Sequence, residues 1–386
     1  MHPLIKAARA LAPTVRECAD QTEADCRLPL ELVEQLGEAG FFRMFVPREY
    51  GGDEVSPVIV YDALEEIAMA DASAAWIIMI IGCNPLLFGN SLSPDVWAKL
   101  YDGNPDMRSA GTIAPNGRAI KVDGGYRISG HWKYGSASEH SEYLISGCMV
   151  FDGDKPVMTD HGPQIRFAIH RTADCNILTD TWDTTGLRGS GSHDYVIDDL
   201  FVPEEWAYVF GPAVHRLANP LYSFPTIAFF CLPAITLGLA KVAIDTLKDM
   251  ATTKRRGPML MCEDPSVQVK IAEATALYSS ARGYIKDQLQ QVMDTLNSGG
   301  TLSADQRATF RLAASYGVDT AVSVVDMMYK LGGGNAVYKG NTLERIFRDA
   351  HTAHTHIQVN DLTYVKAGRM LLGLDPQDPI FNAEPA

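Results

Sequence analysis

Three imidazoles fall within six residues near the C-terminal end of the chain: His351, His354 and His356. Histidine titrates near neutrality, so such a cluster suits proton transfer or metal ligation. His351 and His354 share one face if the segment is helical. Metal sites usually add Cys, Asp or Glu at matching spacing, and no H-E-x-x-H occurs. No metal is expected. The chain also has no G-x-S-x-G turn and no Walker loop. Gly332-Gly333-Gly334 precedes no G-K-[ST] and follows helix rather than strand, which disfavours a dinucleotide fingerprint.

Two further segments could hold a flat ligand. Gly130-His131-Trp132-Lys133-Tyr134-Gly135-Ser136-Ala137-Ser138 sets aromatics before small residues. Small residues let the backbone approach a flat ring, leaving N–H groups to donate to it while an aromatic packs on its face. The same run also reads as a tight turn with a core aromatic. The second segment is Trp182-Asp183-Thr184-Thr185-Gly186-Leu187-Arg188-Gly189-Ser190-Gly191-Ser192-His193-Asp194, followed by a strand into Asp198-Asp199-Leu200-Phe201-Val202-Pro203. Lys254-Arg255-Arg256 is the sharpest basic run and suits one small anionic group.

These pieces need elements to position them. Residues 1–106 read as helical: Leu32, Val33, Leu36 and Ala39 recur at helical spacing before Gly40. The pattern continues over 58–81, and Ser93-Pro94 opens a short helix through Leu100. Residues 107–212 read as a β domain, with a hairpin at Gly124-Gly125 and strands at 126–128, 143–150, 166–170 and 195–202. Residues 213–386 read as a helical bundle, in which Val267, Ile271, Ala274, Tyr278, Ala281 and Ile285 form an apolar stripe. Ser303 with Gln306 fits a capping box, and a last helix is predicted from near Thr342 past Asp361.

A length of 386 residues exceeds one core, and 46% apolar with 21% charged residues is an ordinary folded composition. The net charge of -14 argues against nucleic acid. Seven scattered cysteines without C-x-x-C predict reduced thiols. No signal peptide is visible, and the longest apolar run, 76–81, is far shorter than a membrane span. A cytoplasmic protein without membrane contact is expected.

The Gly186-Leu187-Arg188-Gly189-Ser190 segment resembles the middle-domain signature of the acyl-CoA dehydrogenase superfamily. Its form here, G-L-R-G-S-G-S-H-D with D-D-x-F-V-P, is closer to the two-component flavin monooxygenases. The resemblance covers nearly the whole chain. Gly40-Phe41-Phe42 and Val46-Pro47-Arg48-Glu49-Tyr50-Gly51-Gly52 are similar to the family's N-terminal turn. Thr112-Ile113-Ala114-Pro115-Asn116-Gly117 stands at its flavin-facing loop, without the acid and the Ser-Asp end of the dehydrogenases. Leu331 to Gly334 followed by Leu343-Glu344-Arg345-Ile346-Phe347-Arg348-Asp349-Ala350 resembles its closing stretch.

The resemblance implies an α+β, acyl-CoA dehydrogenase-like fold with an N-terminal helical domain, a central β-barrel-like domain and a C-terminal four-helix bundle. It places Tyr134 as the aromatic stacked on flavin and Ser136 as the hydroxyl donor near flavin N5. Gly135, Ser138, Arg188, Ser190, Gly333 and Gly334 become further cofactor-binding candidates. Arg255 or Arg256 would reach the cofactor phosphates of a neighbouring subunit in a homotetramer.

A dehydrogenase of this family needs a carboxylate to take the α-proton. One family position for it lies eight residues after Asp349, which is Ile357 here. The other lies on the first long C-domain helix, where 227–250 holds only Asp245 and Asp249. The oxygenase branch instead carries a histidine seven residues after that Asp, which is His356, with His354 the neighbouring candidate. The implied activity is a monooxygenase that takes reduced flavin, FAD or FMN, from a separate reductase. With molecular oxygen it would oxygenate an aromatic or heteroaromatic substrate through a C4a-(hydro)peroxyflavin. Trp76, Asn84 and Phe88 are candidates for the substrate wall, Asn84 standing where relatives often hold a histidine. The alternatives are a dehydrogenase-type FAD enzyme with a non-standard base, and a protein that stores flavin.

Overall fold

Proline in the first turn and a capping side chain begin much of the N-terminal region. In the computed structural model, which describes residues 1–160, 162–210 and 214–377, five helices come first. They are α1 (Pro3–Asp25), α2 (Leu30–Glu38), α3 (Pro57–Ala68), α4 (Ala72–Phe88) and α5 (Pro94–Leu100). The Ser93 side chain caps α5 by accepting from the Val96 amide. The helical pattern over 58–81 resolves into two helices, α3 and α4. The chain breaks between them because the Asp71 carboxylate accepts from the Ala74 amide at 2.8 Å and starts a new helix. Between α2 and α3 the chain doubles back, and a Cβ on Gly52 would lie 2.0 Å from the Val46 carbonyl oxygen.

The middle of the chain is a mixed sheet. Its long strands are β1 (Ser109–Val122), β2 (Gly125–Gly135) and β3 (Tyr143–Asp152). Short strands β4 (Lys155–Pro156), β5 (Met158–Thr159) and β6 (Gly162–Pro163) precede β7 (Ile165–Arg171), β8 (Asn176–Leu178), β9 (His193–Pro203) and β10 (Ala207–Tyr208). The order is β10-β7-β3-β1-β2-β9-β8, with β4 added to β3. β1 and β3 run parallel, while β1 and β2 form the expected hairpin, Val122 pairing with Gly125 across Asp123-Gly124. Gly124 takes φ 77°, a left-handed conformation that glycine adopts without the steric cost a Cβ would bring.

The C-terminal helices are α6 (Cys231–Thr253), α7 (Pro265–Asn297), α8 (Ala304–Gly332), α9 (Thr342–His354) and α10 (Asp361–Leu371). A two-strand ribbon, β11 (Arg255–Arg256) with β12 (Met259–Leu260), joins α6 to α7. Ser303 and Gln306 form the capping box that opens α8. The last helix does not run past Asp361: it stops at His354 and resumes as α10. His356 has extended backbone, and Asn360 caps α10 by accepting from the Leu362 amide. The boundary expected between 212 and 213 lies outside the described residues.

Two segments, Ala72–Ser91 and Pro225–Thr253, are long and apolar enough to cross a membrane, longer than the run at 76–81 indicated. Both are packed inside the fold, with 89% and 83% of their most apolar windows buried, and they form its apolar centre. All seven cysteines are free. An ion-pair network ties the N-terminal helices to the bundle. Arg282 on α7 donates to both oxygens of Glu65 at 2.9 and 2.8 Å and to Asp62 at 2.9 Å.

Candidate active site

Strand alternation would put Trp132 and Tyr134, two residues apart, on one face of β2, but Tyr134 takes positive φ, 64°, and leaves that alternation. Trp132 is fully buried, stacked on Tyr195 at 5.3 Å, and its indole donates to the Gly147 carbonyl. Tyr134 points outward, 68% exposed, its ring perpendicular to that of Trp182 with centroids 6.3 Å apart. The core aromatic and the available aromatic are thus different residues of one run. The strand ends because Tyr134 and Ala137 both take positive φ, 64° and 61°, which turns Ser136 inward.

Ser136 meets residues from elsewhere in the chain. Its Oγ accepts from the Trp76 indole on α4 at 3.2 Å and lies 2.6 Å from Ser192 Oγ. Ser192 in turn lies 2.7 Å from Ser190 Oγ, which donates to the Leu187 carbonyl at 2.7 Å. Ser190 and Ser192 are 1% and 3% exposed, so this row is closed to bulk solvent. The Trp76 ring also meets the His356 ring edge-on at 5.8 Å. Trp76, Ser136 and His356, one from each region of the chain, converge here. Ser192 was not among the sequence candidates. Its signal was the alternation Ser190-Gly191-Ser192 entering a strand.

The loop carrying Leu187 is held by α9. The Leu187 amide donates to Asp349 at 2.7 Å, and a Cβ on Gly186 would come within 2.3 Å of the Arg348 carbonyl oxygen. Burial, with the nearby Asp71 carboxylate acting in the same direction, pushes the Asp349 carboxyl up to about 7. Burial likewise raises Asp71 to about 6, against its bond from Ala74. Glu23 also faces both acids, while Arg348 favours ionised Asp349 and Arg345 ionised Asp71. Folded-state values above the unfolded value near 3.8 mean that the fold prefers these groups protonated. Stability from this pair is full below about pH 4 and is lost as pH rises through about 6 and 7. Asp349→Asn keeps an acceptor for Leu187, so it should raise the thermal midpoint at pH 8 and leave it nearly unchanged at pH 4. An equal shift at both pH values would contradict this.

His356 follows the end of α9, and its Nδ1 accepts from the Gln358 amide at 3.3 Å. A neutral ring that accepts at Nδ1 carries its proton on Nε2. Burial, helped by the Arg311 charge, lowers its pKa to about 4. At neutral pH His356 is therefore an uncharged hydrogen-bond donor. The other two histidines have separate roles: His351 Nε2 pairs with Asp326 at 2.9 Å, and His354 Nε2 with Asp319 at 2.7 Å.

Residues 4–91 match the acyl-CoA dehydrogenase N-terminal domain and residues 230–361 its C-terminal domain. The indole-3-acetate monooxygenase of Pseudomonas putida is 31% identical, covering 95% of this chain and 93% of its own. The flavin-dependent monooxygenase oxygenase subunit HsaA of Rhodococcus jostii is 31% identical, over 96% of this chain and 98% of its own. The chain belongs to the flavin-dependent monooxygenase branch of the acyl-CoA dehydrogenase superfamily. The crystal structure of the 3-HSA hydroxylase of Rhodococcus sp. RHA1 superposes with TM-score 0.89 at 28% identity, covering 98% of this chain and 99% of that one.

The residues of this monooxygenase fit a flavin. Ser136, bonded to Trp76 and Ser192, stands two residues along the chain from the exposed ring of Tyr134, and Cβ atoms added to Gly333 and Gly334 would meet nothing within 4 Å. Gly135 has no such room, since a Cβ there would lie 2.8 Å from the His193 carbonyl oxygen. Ser138 is fully enclosed and its hydroxyl has no partner among the described residues. Arg188 donates to Asp183, to the Thr184 and Glu23 carbonyls and to Cys26 Sγ, bracing the Gly186–Ser190 loop against α1. The basic ribbon and the glycine run form a second cluster: Lys254 donates to the Gly332 carbonyl and Arg256 to that of Leu331. Arg255 and Arg256 are both exposed. Of the substrate-wall candidates, only Trp76 reaches the junction with Ser136 and His356. Asn84 donates to the carbonyl and hydroxyl of Ser109, tying α4 to β1, and Phe88 is buried against Trp97 and Tyr208.

Proposed function

We propose that this protein is the oxygenase component of a two-component system, taking reduced FAD or FMN from a separate reductase and oxygenating an aromatic or heteroaromatic small molecule. The observation that carries this reading is the junction of Trp76, Ser136 and a neutral, proton-donating His356. No glutamate occupies either dehydrogenase position: the first is Ile357, 72% exposed, and the 227–250 helix offers only Asp245, which is paired with Lys241, and Asp249. Reduced flavin, when bound, supplies the electrons that activate molecular oxygen. Ser136 would orient its central ring, Tyr134 would cover one face, and His356 would hold a proton on Nε2 toward the reacting oxygen. Indole-3-acetate, named for one relative, marks the substrate class. The free cysteines suit a reducing, cytoplasmic setting.

Stopped-flow mixing of the reduced flavin complex with oxygen should show a transient near-ultraviolet absorbance before oxidised flavin appears. Direct return to oxidised flavin, with rapid reduction by an acyl-CoA, would overturn the oxygenase reading.

The second cluster supports a phosphate site completed between subunits of a homotetramer. Arginine offers a forked donor pair to phosphate oxygens, and α10 leaves Leu362, Val365, Leu371 and Leu372 exposed for contact with another copy. Arg255→Ala or Arg256→Ala should weaken flavin binding in at least one case. Unchanged affinity in both, or a monomer by light scattering, would count against it.

A further inference from the structure

We propose that Ser192, backed by Ser190, sets the direction of the Ser136 hydroxyl proton and so makes the site select reduced over oxidised flavin. The proposal rests on the reading above that flavin N5 lies against Ser136. The direction follows from the fixed end of the row. The Leu187 carbonyl can only accept, and it receives the Ser190 hydroxyl at 2.7 Å, the Ser190 amide at 3.0 Å and the Trp182 indole at 3.0 Å. The single Ser190 proton is therefore committed to Leu187, so the contact at 2.7 Å makes Ser192 the donor to Ser190. With its own proton used, Ser192 can only accept across the 2.6 Å contact from Ser136. At the other end the Trp76 indole, donor only, gives its proton to Ser136.

Ser136 thus has no proton to offer and one lone pair left. Reduced flavin carries a hydrogen on N5 and can donate to that lone pair. Oxidised flavin presents a lone pair at N5, which would face the Ser136 oxygen without a proton between them. Ser190 and Ser192 are 1% and 3% exposed, so bulk solvent does not reach the row to reverse it. Both serines are positioning residues, acting only through Ser136.

Ser192→Ala releases the Ser136 proton to turn toward N5, and Ser190→Ala does the same by freeing the Ser192 proton to point at Ser136. Each should tighten oxidised relative to reduced flavin by roughly tenfold, the scale of one hydrogen bond. A tenfold change lowers the two-electron potential of the bound flavin by about 30 mV. The measurement is anaerobic titration of each protein with oxidised and with dithionite-reduced FMN, then FAD, alongside Ser136→Ala and far-ultraviolet circular dichroism. A shift toward oxidised flavin in Ser192→Ala that disappears in the Ser136→Ala background is the expected result. If Ser192→Ala fails to fold, Ser190→Ala carries the same comparison. A shift in Ser136→Ala with none in Ser192→Ala or Ser190→Ala would overturn the relay and leave the flavin position standing. No shift in any variant would overturn both.

Discussion

Replacing His356 by alanine should lower coupled product formation by about 10²–10⁴-fold, the usual range for a positioned proton-transfer group. Flavin affinity should stay nearly unchanged. The ring stands against Trp76, whose indole donates to Ser136, so it borders the proposed reaction site. Because Nδ1 accepts from Gln358, its service is donation from Nε2 rather than general-base attack on a phenol. Loss of that donor should divert reduced flavin into peroxide. The check is the ratio of peroxide released to flavin consumed, with an aromatic compound that the unaltered protein oxygenates. His354→Ala is the control, since His354 is bonded to Asp319 outside this junction. Full coupling in His356→Ala with loss in His354→Ala would transfer the role to the other histidine. The pH dependence has a definite sign. A folded-state pKa near 4, below the ordinary 6.5, keeps His356 neutral, so its donor state is constant above about pH 5. Its contribution to stability falls as pH drops from 6.5 through about 4.

The largest stability effect is expected for Arg282→Ala, about 3 kcal/mol. Glu65 is 5% exposed, and its two oxygens are held by Arg282, with Tyr278 donating to one of them at 3.1 Å. Removing the guanidinium strands a buried carboxylate, which costs far more than the pair itself contributes. Lys286 still neutralises Asp62 at 2.6 Å, which confines the damage to Glu65. The thermal midpoint should fall by several degrees, and Arg282→Met combined with Glu65→Leu should recover most of the loss. A midpoint unmoved by Arg282→Ala would show that Glu65 is rehydrated without cost.

Much of the fold was legible because its signals are local. The Ser303–Gln306 capping box, the hairpin at Gly124-Gly125 and the apolar stripes act over one or two helical turns or a hairpin, and the chain needs no distant partner to express them. Local reading failed where a polar side chain interrupts a favourable pattern. Asp71 divides one apolar run into α3 and α4, and His356 and Asn360 divide another into α9 and α10. Propensity alone does not reveal such a break, since a capping residue and a solvent-facing helical residue can be the same amino acid.

By itself the sequence determined the family, the order of the three regions and the absence of a glutamate at both dehydrogenase positions, since residue identity is enough for these. Only the tertiary structure decided what the polar groups do. The Leu187–Asp349 bond joins residues 162 apart, and Trp76 reaches Ser136 across 60. The tautomer of His356, the raised carboxyls of Asp71 and Asp349 and the direction of the Ser136 proton all follow from such contacts. The physical reason is that protonation and hydrogen-bond direction are fixed by desolvation and by the nearest partner in space, and the sequence lists neither.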